Sequence, residues 1–169
     1  HCYLGNDLTA VECREALVGV ADQVDIEEPS NMARRVAEAL AARDADMVFH
    51  LAGVVSGEAE ANFDKGYRAN LDGTRFLFDA IRLREGYAPR VVYSSSIAVF
   101  GAPFPPAIGD DFQQVPLTSY GAQKQIGELI LTDYTRRGFM DGVALRLPTI
   151  CVRPGKPNLA ASGFFSSII

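Results

Sequence analysis

Tyr120 and Lys124 stand four residues apart in the stretch LTSYGAQKQIGELIL, 117–131. On a helix, positions i and i+4 lie one above the other on the same face. A free phenol, with a pKa near ~10, is too weak an acid to exchange protons readily at neutral pH. An ammonium within a few ångströms favours the phenolate and lowers that value. A phenol tuned in this way can act as base or acid in the interconversion of a hydroxyl and a carbonyl. A serine hydroxyl nearby could hold the same oxygen in place. The triplet Ser94, Ser95 and Ser96 closes an apolar run, and Ser96 stands 24 residues before Tyr120. The lysine has a second possible use, holding the ribose hydroxyls of a nucleotide. A blander account also exists. Ala122, Ile126, Leu129, Ile130 and Tyr134 repeat as a core stripe that Tyr120 could simply cap, and strand-end serines often bond local backbone.

Alternating elements must position these groups. The segment 19–26 reads as a short strand, and Ser30 is a plausible cap for a helix over 31–43, with Met32, Val36 and Leu40 on one face. An apolar run over 45–53 has strand length. A long helical pattern spans about 58–84, with Phe63, Tyr67, Leu71, Phe78 and Ile81 near helical spacing. Strands are expected at 90–95 and 142–150, separated by a Pro/Gly-rich loop at 101–117 and a helix over 120–137. Apolar strands alternating with helices predict a doubly wound α/β fold, a parallel sheet covered on both faces. In such sheets ligands collect at the carboxyl ends of the strands. Those ends carry Asp25, the run His50 to Gly53, the three serines, and Pro148, Thr149 and Ile150. His50, at the end of a buried strand, reads as a hydrogen-bonded structural histidine.

Composition narrows the classes. The chain has 169 residues, 48% of them apolar, which is enough for one domain with a real core. The net charge of −5 and the lack of a basic stripe argue against nucleic-acid binding. No apolar run approaches the ~18 residues of a membrane span. Cys2, Cys13 and Cys151 lack metal-ligand spacing and read as reduced thiols of a cytoplasmic protein.

Five motifs in order, FHLAG (49–53), NLDGT (70–74), YSSSIAVFG (93–101), SYGAQK (119–124) and RLPTICVRPG (146–155), resemble the extended short-chain dehydrogenase/reductases, the NAD-dependent epimerase/dehydratase family. The resemblance runs from about Val24 and implies a Rossmann-like domain that binds NAD. It implies that Ser96 hydrogen-bonds the reacting oxygen, that Tyr120 is the acid/base, and that Lys124 lowers the tyrosine pKa and grips the nicotinamide ribose. Asp25 and Ile26 match residues that contact adenine. Leu51, Ala52 and Gly53 match the strand end beneath the cofactor. Asn70 and Ser94 belong to the cofactor-side motifs, and Pro148, Thr149 and Ile150 match the segment lining the nicotinamide. Phe100 stands where many members have tyrosine. Within the family, VVSGEAE (54–60) and the segment 146–166 are most similar to its sugar-acid dehydrogenases, which implies oxidation of D-erythronate to the 2-oxo acid. Arg153 and Lys156 could then bind a substrate carboxylate or be solvated loop cations; Ser56 could face the substrate or not.

One family feature is absent. No GxxGxxG phosphate loop follows a first strand, so the chain reads as an internal piece of a longer enzyme, 1–169 being a partial NAD-binding domain with most of the substrate region missing. Three functions stay open: a sugar-acid dehydrogenase, a nucleotide-sugar epimerase or dehydratase that returns the hydride, and a non-catalytic domain that keeps the fold without binding cofactor. The resemblance further implies a homodimer through the helices at 58–84 and 120–137, where Phe76 and Leu131 fall outside the main stripes.

Overall fold

The computed structural model describes residues 43, 45–109 and 111–149. The expected strand 19–26, the helix 31–43 apart from Arg43, all three cysteines, Asp25, Ile26, Ile150, Arg153 and Lys156 lie outside the described residues. The described elements run β1 (Met47–His50), α1 (Ser56–Ala61), α2 (Phe63–Gly66), a π-helical segment (Tyr67–Asp72), α3 (Gly73–Arg82), β2 (Arg90–Ser96), a 3-10 turn (Ile97–Val99), α4 (Ser119–Arg136) and β3 (Asp141–Leu147).

The three strands pair in parallel in the order β1-β2-β3, with Val48 opposite Val91 and Tyr93 opposite both His50 and Ala144. The pleat alternates side chains between faces. Val48, His50, Val91, Tyr93 and Ser95 therefore point to one side, where Leu77, Phe78 and Ile81 of α3 and Leu131 of α4 close the core. Successive crossovers travel in the same direction across the sheet, so both helical layers fall on that one face. Among the described residues no helix covers the opposite face, and Val143, Leu145 and Leu147 of β3 remain 45%, 46% and 37% exposed.

The helix α4 is bounded by local chemistry. Thr118 caps its start, the Oγ1 accepting from Gly121 N at 3.0 Å. At its end Gly138, with φ +76°, supplies the left-handed residue of a Schellman motif. Gly138 N donates to Thr135 O and Phe139 N to Tyr134 O, and the Phe139 and Tyr134 rings meet edge-on at 5.7 Å.

Two expectations need correction. The helix expected over 58–84 is interrupted. Asn62 is extended and its side chain caps α2 by accepting from Lys65 N, and the π-helical segment then adds a residue to the turn. The extra residue shifts the phase of the apolar pattern. Phe78 and Ile81 are fully buried whereas Phe63, expected on the same stripe, is 57% exposed. The core stripe of α4 is also different. Its buried residues are Gly121, Gln123, Lys124, Gly127, Glu128 and Leu131, while Leu129 is 63% exposed. Ile130 and Tyr134 of the expected stripe do pack against the core, but its most buried positions go to polar side chains, each of which finds a partner from another element. Burial of Leu131 and partial burial of Phe76 remove the support that these residues lent to a dimer surface.

Leu131→Ala should accordingly destabilise the native protein by about 2–4 kcal/mol in denaturant unfolding, as expected for a fully buried leucine. Leu129→Ala should stay within about 0.5 kcal/mol. The reverse order would restore the stripe expected from the sequence.

Candidate functional site

Lys124 lies on the inner face of α4, in its second turn, and is 4% exposed. Its Nζ donates to the carbonyl oxygen of Ser94 at 2.7 Å. It sits 5.0 Å from the centre of the Tyr93 ring and 5.6 Å from that of Tyr120. Burial lowers its pKa from 10.5 to about 8, so at pH 7 it is still mostly the ammonium.

The two tyrosines beside that charge differ sharply. Tyr93 has no exposed surface, lies across Gly127, and burial raises its pKa well above the ordinary value. It stays a neutral phenol. Tyr120 is only half buried and sits at the open end of α4. Of the pair, only Tyr120 is partly open to solvent.

The helix end is pressed against the turn that follows β2. A Cβ at Gly121 would lie 2.2 Å from Ala98 O and 2.9 Å from Pro116 Cβ, so the residue after Tyr120 has to be glycine for this approach. Ser96 closes β2, is half buried, and its Oγ accepts from Ala98 N at 3.2 Å while capping the 3-10 turn. Packing at Gly121 thus brings the backbone beside Tyr120 against the turn that Ser96 begins. Ser94 contributes its carbonyl to Lys124, and its hydroxyl donates to His50 O at 3.0 Å.

Beyond β1 the chain runs open. Leu51, Ala52 and Gly53 are all exposed, and Ser56 is half buried at the start of α1. A Cβ at Gly53 would meet Asn70 Oδ1 at 2.6 Å and lie 3.9 Å from Lys124 Nζ, so bare backbone faces the lysine there. Asn70, 1% exposed, explains the closeness. Its Oδ1 accepts from Val54 N at 2.8 Å, and its Nδ2 donates to Val54 O at 3.3 Å and to Gln123 Oε1 at 2.7 Å. The π-helical segment carries Asn70, consistent with the frequent placement of such segments at functional sites. Pro148 and Thr149 follow β3, exposed and half buried. The structure thus joins Gly53, Asn70, Ser94 and Lys124 in direct or near contact. The exposed strip Leu51, Ala52 and Gly53, ending in bare glycine backbone beside a buried ammonium at the strand ends, fits a dinucleotide.

His50 has the expected hydrogen bond, its Nε2 lying 2.8 Å from Thr74 Oγ1. Burial, and next the Lys124 charge, lower its pKa to about 3, so it is neutral at pH 7. Gln123, Glu128 and Arg146 were not singled out by sequence, and Ser95 was read only as one of three strand-end serines. The available signal for Glu128 was its i, i+4 spacing from Lys124, followed three residues later by the apolar Leu131. An open cavity of about 430 Å³ lies between Ile97, Phe100, Phe104, Ile108, Gly109 and Arg146, bordering the turn after Ser96. Among the described residues no helix is long and apolar enough to cross a membrane, and no cluster of His, Cys, Asp and Glu could hold a metal ion.

The profile of the NAD dependent epimerase/dehydratase family matches residues 7–169, further toward the N-terminus than the motifs alone reach. A D-erythronate dehydrogenase of Cupriavidus necator is 60% identical over 126 residues, 75% of this chain and 39% of the relative. One from Haemophilus influenzae is 46% identical over 130 residues, 77% of this chain and 41% of the relative. The chain therefore spans about two fifths of the length of these curated relatives. Among solved structures, a nucleoside-diphosphate-sugar epimerase from Agrobacterium tumefaciens superposes with a TM-score of 0.75 at 61% identity, covering 86% of this chain and 42% of that one. UDP-glucose 4-epimerase from Brucella ovis in complex with NAD gives a TM-score of 0.62 at 36% identity, covering 68% and 35%.

The lysine supplies a stability test. Its folded pKa of about 8 lies below the unfolded 10.5, so its charge opposes folding fully below pH 8, by about 3 kcal/mol, and the opposition fades between pH 8 and 10.5. The stability of the native protein minus that of Lys124→Met should therefore rise across that window. A difference flat in pH would show that Lys124 is not desolvated.

Proposed function

The chain belongs to the NAD dependent epimerase/dehydratase family, and on that premise we propose that it is the cofactor-binding part of an NAD-dependent dehydrogenase that oxidises D-erythronate, a small sugar acid, to its 2-oxo acid. The observation that carries the reading is the buried Lys124 ammonium 5.6 Å from the centre of the half-exposed Tyr120 ring, at the open rim of the sheet. The two relatives named D-erythronate dehydrogenase support the substrate.

In this reading NAD, when bound, supplies the hydride acceptor. Leu51, Ala52, Gly53, Asn70, Ser94, Pro148 and Thr149 line its bed, and the Lys124 ammonium holds ribose hydroxyls. The Ser96 hydroxyl donates to the substrate oxygen and fixes its position. Tyr120 Oη takes the hydroxyl proton as the carbon gives up its hydride, and Lys124 stabilises the phenolate that accepts it. Asp25 and Ile26 on the adenine, Ile150 on the nicotinamide, and Ser56 and Arg153 on the substrate complete the assignment. A cytoplasmic homodimer belongs to the same reading, for which exposed Phe63 and Leu129 supply apolar surface on the two expected helices.

A second reading, nucleotide-sugar epimerisation, is favoured by the 61% identity to the Agrobacterium nucleoside-diphosphate-sugar epimerase. The same Tyr120 and Lys124 would begin that cycle, but the hydride would return to the sugar.

NADH absorbance separates the two. The native protein should accumulate NADH with NAD⁺ and D-erythronate and leave UDP-glucose unchanged; conversion of UDP-glucose with no net NADH would install the second reading. Tyr120→Phe should lower kcat by about 10²–10⁴-fold while NAD⁺ affinity holds within about threefold. Full activity of that variant would take the tyrosine out of the chemistry.

A further inference from the structure

We infer that Glu128 is a positioning residue that sets where Tyr120 and Lys124 stand relative to Ser96; the inference rests on the site reading above. Glu128 lies one helical turn beyond Lys124 and is 7% exposed. Its carboxylate accepts from the Ser95 hydroxyl, from Arg146 Nη2 at 2.9 Å and Nε at 3.2 Å, and from Gln114 Nε2 at 3.2 Å. One carboxylate thus joins α4 to β2, to β3 and to the loop before α4. Arg146 also lies 5.2 Å from the centre of the Phe100 ring, in the turn that follows Ser96.

The placement of Ser95 decides what this joint can do. It sits between Ser94, whose carbonyl takes the Lys124 ammonium, and Ser96. The helix is therefore pinned to consecutive residues of β2 at two successive turns. The second pin adds to the hold that the Asn70–Gln123 hydrogen bond and the close contact of Gly121 with Ala98 give α4 near Lys124. Two pins fix its rotation and its height, and with them the phenol at its first turn. Tertiary stability alone explains the arrangement poorly, because a buried ion pair often contributes no more than apolar residues of similar volume. Orientation of reacting groups is where such a cost is recovered, since a misplacement of about 1 Å can lower rate by roughly 10²-fold.

The test is a double-mutant cycle in the native protein, with far-UV circular dichroism and thermal melts confirming that each variant is folded. Glu128→Ala should lower kcat by about 100-fold with KM for NAD⁺ and substrate changed by less than about threefold, the pattern of lost transition-state positioning. In the Tyr120→Phe background it should cost nothing further, because the group it positions is gone. Ser95→Ala, a smaller change, should move kcat the same way by about tenfold, and carries the cycle if Glu128→Ala does not fold. Normal kcat in Glu128→Ala or Ser95→Ala, alongside a collapsed Tyr120→Phe, would overturn this inference and leave the site reading intact. So would losses that multiply in the double variant. Full activity of Tyr120→Phe would bring down the site reading and this inference with it.

Discussion

A single ammonium, Lys124 Nζ bonded to Ser94 O at 2.7 Å, joins the helix to the strand around which the described fold is built. Desolvating an ammonium is costly, and the cost shows in a pKa lowered to about 8. The position is held because the charge is met on several sides, by a carbonyl and by the faces of Tyr93 and Tyr120. A neutral side chain of the same length would relieve the desolvation and leave Ser94 O without its donor. The charge also reaches across the core and disfavours protonation of His50, which stays a neutral partner of Thr74. The charge thus costs stability at the place where the proposed chemistry would need it.

That tension explains which parts of the fold were legible in the sequence. The strands were, because Met47–His50 and Arg90–Ser96 are short apolar or β-branched runs whose burial follows the pleat. So were the bounds of α4, expected over 120–137 and found over Ser119–Arg136, although the Thr118 cap and the Gly138 stop were not read from the sequence. The faces of the helices were not. On α4 the rule that apolar side chains go inward fails at Leu129, because inward positions are taken by Gln123, Lys124 and Glu128, each paired with a group from elsewhere in the chain. Periodicity along one segment carries no information about those distant partners. On the preceding helix, the phase is lost at Asn62 and again in the π-helical segment, and neither departure has a hydrophobic signature.

The site divides along the same line. Tyr120 and Lys124 were legible as a pair because helical spacing alone places them on one face. Asn70 and Gly53 were legible only through their motifs, and the structure supplies the reason for both: the asparagine amide holds both polar groups of the Val54 backbone and occupies the space a side chain at position 53 would need. Ser96 was legible as a strand-end hydroxyl. The neighbouring Ser95, on the opposite side of the strand, was indistinguishable from it by composition and has a different partner, Glu128.

Three polar residues on the inner face of α4 therefore reach three different parts of the sheet rim. Gln123 reaches Asn70 and through it the turn after β1; Lys124 reaches the carbonyl of Ser94; Glu128 reaches Ser95 and Arg146. Apolar packing could have held α4 against the sheet, but it is non-directional and tolerates small slides. Hydrogen bonds to fixed backbone and side-chain groups do not tolerate them, because each loses strength steeply with distance and angle. A slide of α4 that kept its area buried would leave several charged or amide groups unpaired at once. The polar inner face is thus the element that converts a loosely specified helix-on-sheet packing into one position, and the residue whose location it fixes most directly is the tyrosine at the end of the helix.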